Sequence, residues 1–174
     1  EEVWQVCQAA ELGDKPFVVG HSFGGWVALE TGKYHDAELG GILFMDFTIA
    51  PPEDYLEWGL RAEREGVDPG RKLRVYEEKE AALKRFRFIP EQPGVHPAVL
   101  NHLAEYGLKK VDGGWTWKFD PALFDHMEMG AAQRDTFTQL TTNTALMLGE
   151  KSEDEGAFYA EHMLAITDGL LPAI

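Results

Sequence analysis

The stretch Gly20-His21-Ser22-Phe23-Gly24-Gly25 decides how the chain is read. The apolar run Phe17-Val18-Val19 stands before it, and Trp26-Val27-Ala28-Leu29-Glu30 continues after it in a helical pattern. Together they predict strand, sharp turn and helix. In that setting G-x-S-x-G has the form of a nucleophile elbow. A turn this tight forces its central residue into strained φ/ψ, so the neighbours must be small. Gly20 and Gly24 are expected to let strand and helix approach where a Cβ would clash. Ser22 is then held away from the sheet with its hydroxyl exposed. The backbone N–H of Phe23 falls in the first turn of the following helix. There it and the positive end of the helix dipole face the place where an oxyanion develops. The competing reading is a glycine-rich turn with an incidental serine. The β-branched strand before it and the unbroken helix after it favour the elbow.

Beyond that helix, which the pattern carries to about Tyr34, Gly40-Gly41 opens the run Ile42-Leu43-Phe44-Met45. A continuous apolar run of this length fits a parallel strand covered on both faces. Two such strands joined by a helix make a βαβ unit with an expected right-handed crossover. The second strand ends at Asp46 and is followed by Phe47-Thr48-Ile49-Ala50-Pro51-Pro52. In open α/β sheets the functional groups collect at the carboxyl ends of strands, and both Ser22 and Asp46 fall there. A third apolar strand is predicted over Thr144-Ala145-Leu146-Met147-Leu148-Gly149. The polar loop Glu150-Lys151-Ser152-Glu153-Asp154-Glu155-Gly156 comes after it.

The remaining segments fill in around these strands. Val3, Val6, Cys7 and Ala10 recur at helical spacing, and Gly13-Asp14-Lys15-Pro16 breaks that helix. From Glu53 to Thr142 the pattern is mostly helical: Glu53–Glu65, Glu77–Arg87, Pro97–Tyr106, Pro121–Met129 and Ala132–Leu140. One hairpin interrupts it, with Asp112-Gly113-Gly114 as the turn and Trp115-Thr116-Trp117-Lys118-Phe119 as the second arm. A last helix is expected over Phe158–Thr167. The organisation predicted is therefore an α/β core over 1–52, a mostly helical cap insertion over 53–131, and a return to the core over 132–174.

Composition narrows the function classes. The chain has 174 residues, of which 44% are hydrophobic, which suits one domain with a real core. No apolar run approaches the ~18 residues of a membrane helix, and Glu1-Glu2-Val3-Trp4 has none of the marks of a signal peptide. Asp and Glu number 30 against 16 Lys and Arg, for a formal charge of -14. That field argues against nucleic acid and anionic membranes as partners. Cys7 stands alone, so it forms no internal disulfide and is expected as a small buried hydrophobe. A cytoplasmic setting is the expectation that fits.

Gly20-His21-Ser22-Phe23-Gly24-Gly25 resembles the elbow of the α/β-hydrolase superfamily. The segment Gly114-Trp115-Thr116-Trp117-Lys118-Phe119-Asp120-Pro121 is similar to a recurrent cap-region segment of the same superfamily. The resemblance implies a partial α/β-hydrolase fold: parallel sheet strands with a mostly helical cap. It also implies a chemistry. A serine hydroxyl is a poor nucleophile at neutral pH and needs a histidine to take its proton and a carboxylate to orient that histidine. In this superfamily the order along the chain is serine, acid, histidine.

Two places offer the acid. One is Asp46, and the other is Asp154, with Glu150 and Glu153 nearby. Many members of the superfamily carry an aspartate three residues after a glycine that matches Gly149, and here that position is Ser152. By contrast, Met45-Asp46-Phe47-Thr48-Ile49-Ala50-Pro51 resembles members whose acid follows the earlier strand. Asp46 is therefore preferred, with Asp154 as the alternative. The competing role for Asp46 is a strand-end aspartate that caps the next loop. Of the six histidines, His21 precedes the nucleophile and is expected to point away from it. His35 lies at the far end of the elbow helix, His96, His102 and His126 fall in the cap, and His162 is mid-helix. The resemblance places the base on a loop after a strand not reached by Ile174, and the second oxyanion donor before Glu1. An internal segment of a longer hydrolase is thus expected, inactive by itself.

The resemblance implies a serine hydrolase acting on a small-molecule ester or related carbonyl substrate through an acyl-enzyme, with Ser22 as nucleophile and the Phe23 N–H in the oxyanion hole. C–C hydrolases, lactonases, thioesterases and cofactor-free haloperoxidases use the same elbow and stay open, as does a non-catalytic binding module on this scaffold. No cofactor is indicated. The histidines lack the i, i+4 spacing of a zinc helix, and no phosphate loop is present. Nothing in the chain specifies its oligomeric state.

Overall fold

The computed structural model describes residues 1–51, 53–54, 73–88, 91–92, 94–120, 131–149, 152 and 160–166. In chain order they form α1 (Glu2–Ala9), β1 (Phe17–His21), α2 (Phe23–His35), a 3-10 turn (Asp36–Glu38) and β2 (Gly41–Met45). Then come α3 (Lys79–Leu83), α4 (Pro97–Tyr106), β3 (Leu108–Val111), β4 (Gly114–Trp117), α5 (Ala131–Gln139), β5 (Thr144–Met147) and α6 (Ala160–Ile166). The chain divides into two compact units, Glu1–Glu65 with Met129–Ile174, and Gly66–Glu128.

The first unit holds a parallel sheet in the order β1-β2-β5. Phe17 lies opposite Gly41 and His21 opposite Met45, while Ile42 lies opposite Thr144 and Met45 opposite Met147. β2 is central, which is why its sequence is apolar without alternation. Ile42 and Phe44 are both buried. β1 is less well covered. Among the described residues it is an edge, and Phe17 and Val19 are 75% and 60% exposed.

α2 lies against this sheet with Ala28, Leu29, Thr31 and Gly32 buried. Gly32 allows the close approach. A Cβ there would meet Ile42 Cδ1 and Leu140 Cδ2, each at 2.8 Å. The core gathers Leu29, Ile42, Phe44, Phe47, Ile49, Phe137, Leu146 and Met163 from both halves of the unit. Phe44 is its centre, with ring centroids 5.5 Å from Phe47 and 5.3 Å from Phe137. Each fully buried side chain of this kind contributes roughly 1.5–3 kcal/mol of burial free energy. Ile49 N–H donates to Met163 Sδ at 3.2 Å, which ties the segment after β2 to α6. Cys7 is buried, as its helical spacing predicts.

The start of β5 is fixed by an aspartate at the end of α2. Asp36 accepts from the Thr141 N–H and the Thr142 N–H, both at 2.9 Å, and from the Thr141 hydroxyl. Partial burial pushes the Asp36 carboxyl up. The hydrogen bonds from Thr141 and Thr142 outweigh that and hold it below its ordinary value.

The second unit contains the antiparallel hairpin β3–β4. Val111 lies opposite Gly114, so Asp112-Gly113 is the loop, and φ is +84° at Gly113 and +143° at Gly114. Those angles require glycine there. Tyr76 and Trp115 exchange backbone hydrogen bonds at 2.8 and 2.7 Å. The hydroxyl of buried Thr116 donates to the Arg74 carbonyl. Lys79 stands over the Trp115 ring and pairs with Glu105. α3 is shorter than the predicted Glu77–Arg87. It stops at Leu83, and Phe86 turns its ring onto Phe88 and Trp117, both at 5.5 Å. Tertiary packing of aromatics outweighs helix propensity at this end. The helix predicted over Pro121–Met129 lies outside the described residues, as does all of Glu53–Glu65 beyond Asp54.

Candidate functional site at the carboxyl ends of the parallel strands

Ser22 is the single residue between β1 and α2, and its backbone stands at φ +50° and ψ -120°. Side chains rarely adopt that conformation, and holding one there costs about 1–3 kcal/mol. Two hydrogen bonds pin the bend. Ser22 N–H donates to the Met45 carbonyl at 3.0 Å, and Gly25 N–H donates to the Ser22 carbonyl at 2.8 Å. The half-buried Ser22 does not use its hydroxyl to cap α2. Phe23 is the first residue of α2, so its N–H lies beside Ser22 at the positive end of the helix.

The glycines divide their work differently from the prediction. A Cβ on Gly20 would overlap the Gly24 carbonyl and lie 2.7 Å from Gly25 N. A Cβ on Gly25 would run into the Phe47 ring, with Cδ2 at 2.9 Å. A Cβ on Gly24 would meet nothing within 4 Å among the described residues. The close approach is therefore made by Gly20 and Gly25, and the expected steric role of Gly24 is not found. Gly24 contributes its backbone carbonyl to the contact, and that surface needs no missing side chain.

Asp46 follows β2 as Ser22 follows β1. It too has a positive φ, +41°. Its N–H donates to the Met147 carbonyl at 2.8 Å, so the backbone continues the β2–β5 ladder for one more step. Its carboxylate reaches beyond β5. Oδ1 accepts from Gly149 N–H at 2.5 Å, and Oδ2 accepts from the Ser152 hydroxyl at 2.9 Å. Asp46 therefore caps a loop, as its competing role supposes, but the loop is the one after β5 and not its own. A carboxylate has about four lone-pair sites, so two remain for another donor. The alternative acid, Asp154, lies outside the described residues.

None of the described histidines is a partner of Asp46. His21 ends β1 and is exposed. His35 stacks on Trp4 and meets Glu1 at 3.3 Å. His96 caps α4, its Nδ1 accepting from Ala98 N–H. His102 meets the Tyr106 ring at a tilt, with centroids 4.5 Å apart. His162, on α6, has a buried Nε2 without a hydrogen-bond partner. His126 is outside the described residues. Among the described residues no cluster of His, Cys, Asp and Glu has the form of a metal site, and no helix is long and apolar enough to cross a membrane.

The sequence pattern does not single out Gly149 as a hydrogen-bond donor, and Ser152 stands in it only as a departure. The available signal was their place just past an apolar strand, where a strand-end loop faces its neighbour.

A sequence model of the alpha/beta hydrolase family matches residues 2–172, and the chain belongs to that family. Solved structures agree in fold. E-2-(acetamidomethylene)succinate hydrolase superposes with a TM-score of 0.70 at 16% identity, over 99% of this chain and 62% of its own. An esterase from Mycobacterium tuberculosis gives 0.68 at 18%, over 99% and 57%. The thioesterase domain from the curacin biosynthetic pathway gives 0.65 at 18%, over 99% and 63%. At these identities the likeness is one of fold, and the chain spans less than two thirds of each of these proteins. A comparison with curated proteins finds no match.

Proposed function

We propose that the chain carries the nucleophile and the acid of a serine hydrolase that cleaves a small-molecule ester or related carbonyl compound. One observation carries this reading: Ser22 alone bridges a parallel strand and a helix, in a backbone conformation that costs free energy for any residue with a side chain.

The chemistry follows from the positions. Ser22 Oγ attacks the carbonyl carbon while a histidine, supplied from outside the described residues, takes the hydroxyl proton. The carbonyl oxygen becomes an oxyanion, held by the Phe23 N–H and the dipole of α2. Collapse expels the alcohol, which takes its proton from the histidine, and leaves an acyl-serine. Water, deprotonated by the same histidine, attacks the acyl carbon, releases the acid and restores Ser22. Asp46 accepts the other ring N–H of the histidine through one of its remaining lone pairs. The reaction needs no metal or organic cofactor. That the three superposed proteins are a hydrolase, an esterase and a thioesterase domain supports acyl chemistry as the class, and their low identity leaves the substrate to be found by assay.

Incubating the full-length natural protein with a fluorophosphonate probe tests the reading. Ser22 is expected to be labelled, and Ser22→Ala to be silent. A folded protein that takes no label at Ser22 overturns it.

A further inference from the structure

Asp46 is gripped from a place in the chain more than a hundred residues away. Gly149 N–H holds Oδ1 and the Ser152 hydroxyl holds Oδ2, at separations of 103 and 106 residues. A second fact makes the grip specific. A Cβ on Gly149 would collide with Ser152 Oγ and lie 3.1 Å from Asp46 Oδ2 and 3.3 Å from Oδ1. Gly149, Ser152 and Asp46 are thus mutually fitted, with no room for a methyl group between them. Ser152 N–H also donates to the Gly149 carbonyl at 3.1 Å, which ties the two donors to each other.

A carboxylate on one rotatable bond turns freely unless both oxygens are held. Here one donor occupies each oxygen, so the plane of the carboxylate is fixed. The lone pairs left over point in set directions. We infer that Ser152 is a positioning residue. Its hydroxyl orients the Asp46 carboxylate toward the histidine that activates Ser22. The inference rests on the reading of Asp46 as the acid. Ser152 touches neither substrate nor nucleophile in this role and acts only through Asp46. A hydrogen bond to a charged group is among the stronger ones, so its removal has a measurable effect on rate.

The test uses the full-length natural protein and two readouts, hydrolysis of p-nitrophenyl butyrate and the rate of fluorophosphonate labelling at Ser22. Ser152→Ala is expected to lower kcat and the labelling rate roughly ten-fold with KM unchanged, and Ser152→Thr, which keeps the hydroxyl, to restore most of the loss. Asp46→Asn is expected to lower both far more. Adding Ser152→Ala to Asp46→Asn is expected to cost nothing further, because the two act as a unit. If Asp46→Asn is crippled while Ser152→Ala turns over like the parent, the inference on Ser152 is overturned and the acid stands. Equal losses from Ser152→Ala and Ser152→Thr, or losses that add to that of Asp46→Asn, also overturn it. If Asp46→Asn behaves like the parent, the acid itself is wrong and Ser152 loses its role with it.

Discussion

Ser22 and Asp46 stand one step past paired residues, His21 and Met45, and both hold a positive φ, +50° and +41°. Neighbouring strands of one sheet therefore each end in a residue of positive φ that bears a polar side chain. A positive φ at both places is hard to explain by packing alone, because glycine would satisfy the backbone at lower cost.

That cost is measurable. Ser22→Gly is expected to be more stable than Ser22→Ala by about 1 kcal/mol, since only glycine relieves the backbone. Urea unfolding of the two variants checks it. Both are expected to lose turnover by about a thousand-fold or more. Equal stability of the two would mean that the bend is unstrained.

The elbow glycines give a paired prediction. Gly20→Ala forces a methyl group into the Gly24 carbonyl, and is expected to cost about 3 kcal/mol or more, with loss of activity. Gly24→Ala places its methyl where no described residue lies within 4 Å, and is expected to change stability by no more than about 1 kcal/mol. Thermal unfolding separates them.

Asp36 predicts a pH dependence. Its native carboxyl titrates below its unfolded value of 3.8. The ionised form is thus favoured by folding. Its contribution is complete above the unfolded value and is lost as pH falls through the lower native one. Asp36→Asn is expected to destabilise by about 1 kcal/mol at neutral pH, given its solvent access. The difference from the parent should shrink as the pH is taken below 3.8. A difference that stays constant into acid would remove the carboxylate from the account.

Met163→Leu tests the link between the segment after β2 and α6. The volume is nearly kept, but Ile49 N–H loses its sulfur acceptor. A cost of about 1–2 kcal/mol is expected. A neutral substitution would reduce the contact to packing.

The parts of the fold with local causes were legible in the chain. Ile42 to Met45 announce a central strand because both faces are buried, and Asp112-Gly113 announces a hairpin because its backbone angles demand glycine. Ser22 was legible for the same reason. What escaped depends on residues far apart. The end of α3 is set by Phe86 meeting Trp117, and the setting of Asp46 by Gly149 and Ser152. No spacing rule encodes such pairings, because they arise only when separate strands are laid side by side. Gly24 shows the reverse: the steric duty that the motif suggests for it falls to Gly20 and Gly25.

The bare flank of β1 has a practical consequence. Phe17 and Val19 face solvent beside a strand edge that has no partner among the described residues. A polypeptide of these 174 residues offers that flank to other copies, and is expected to self-associate increasingly with concentration. Val19→Lys, which sets a charge on that edge, is the simplest remedy for bench work on the chemistry.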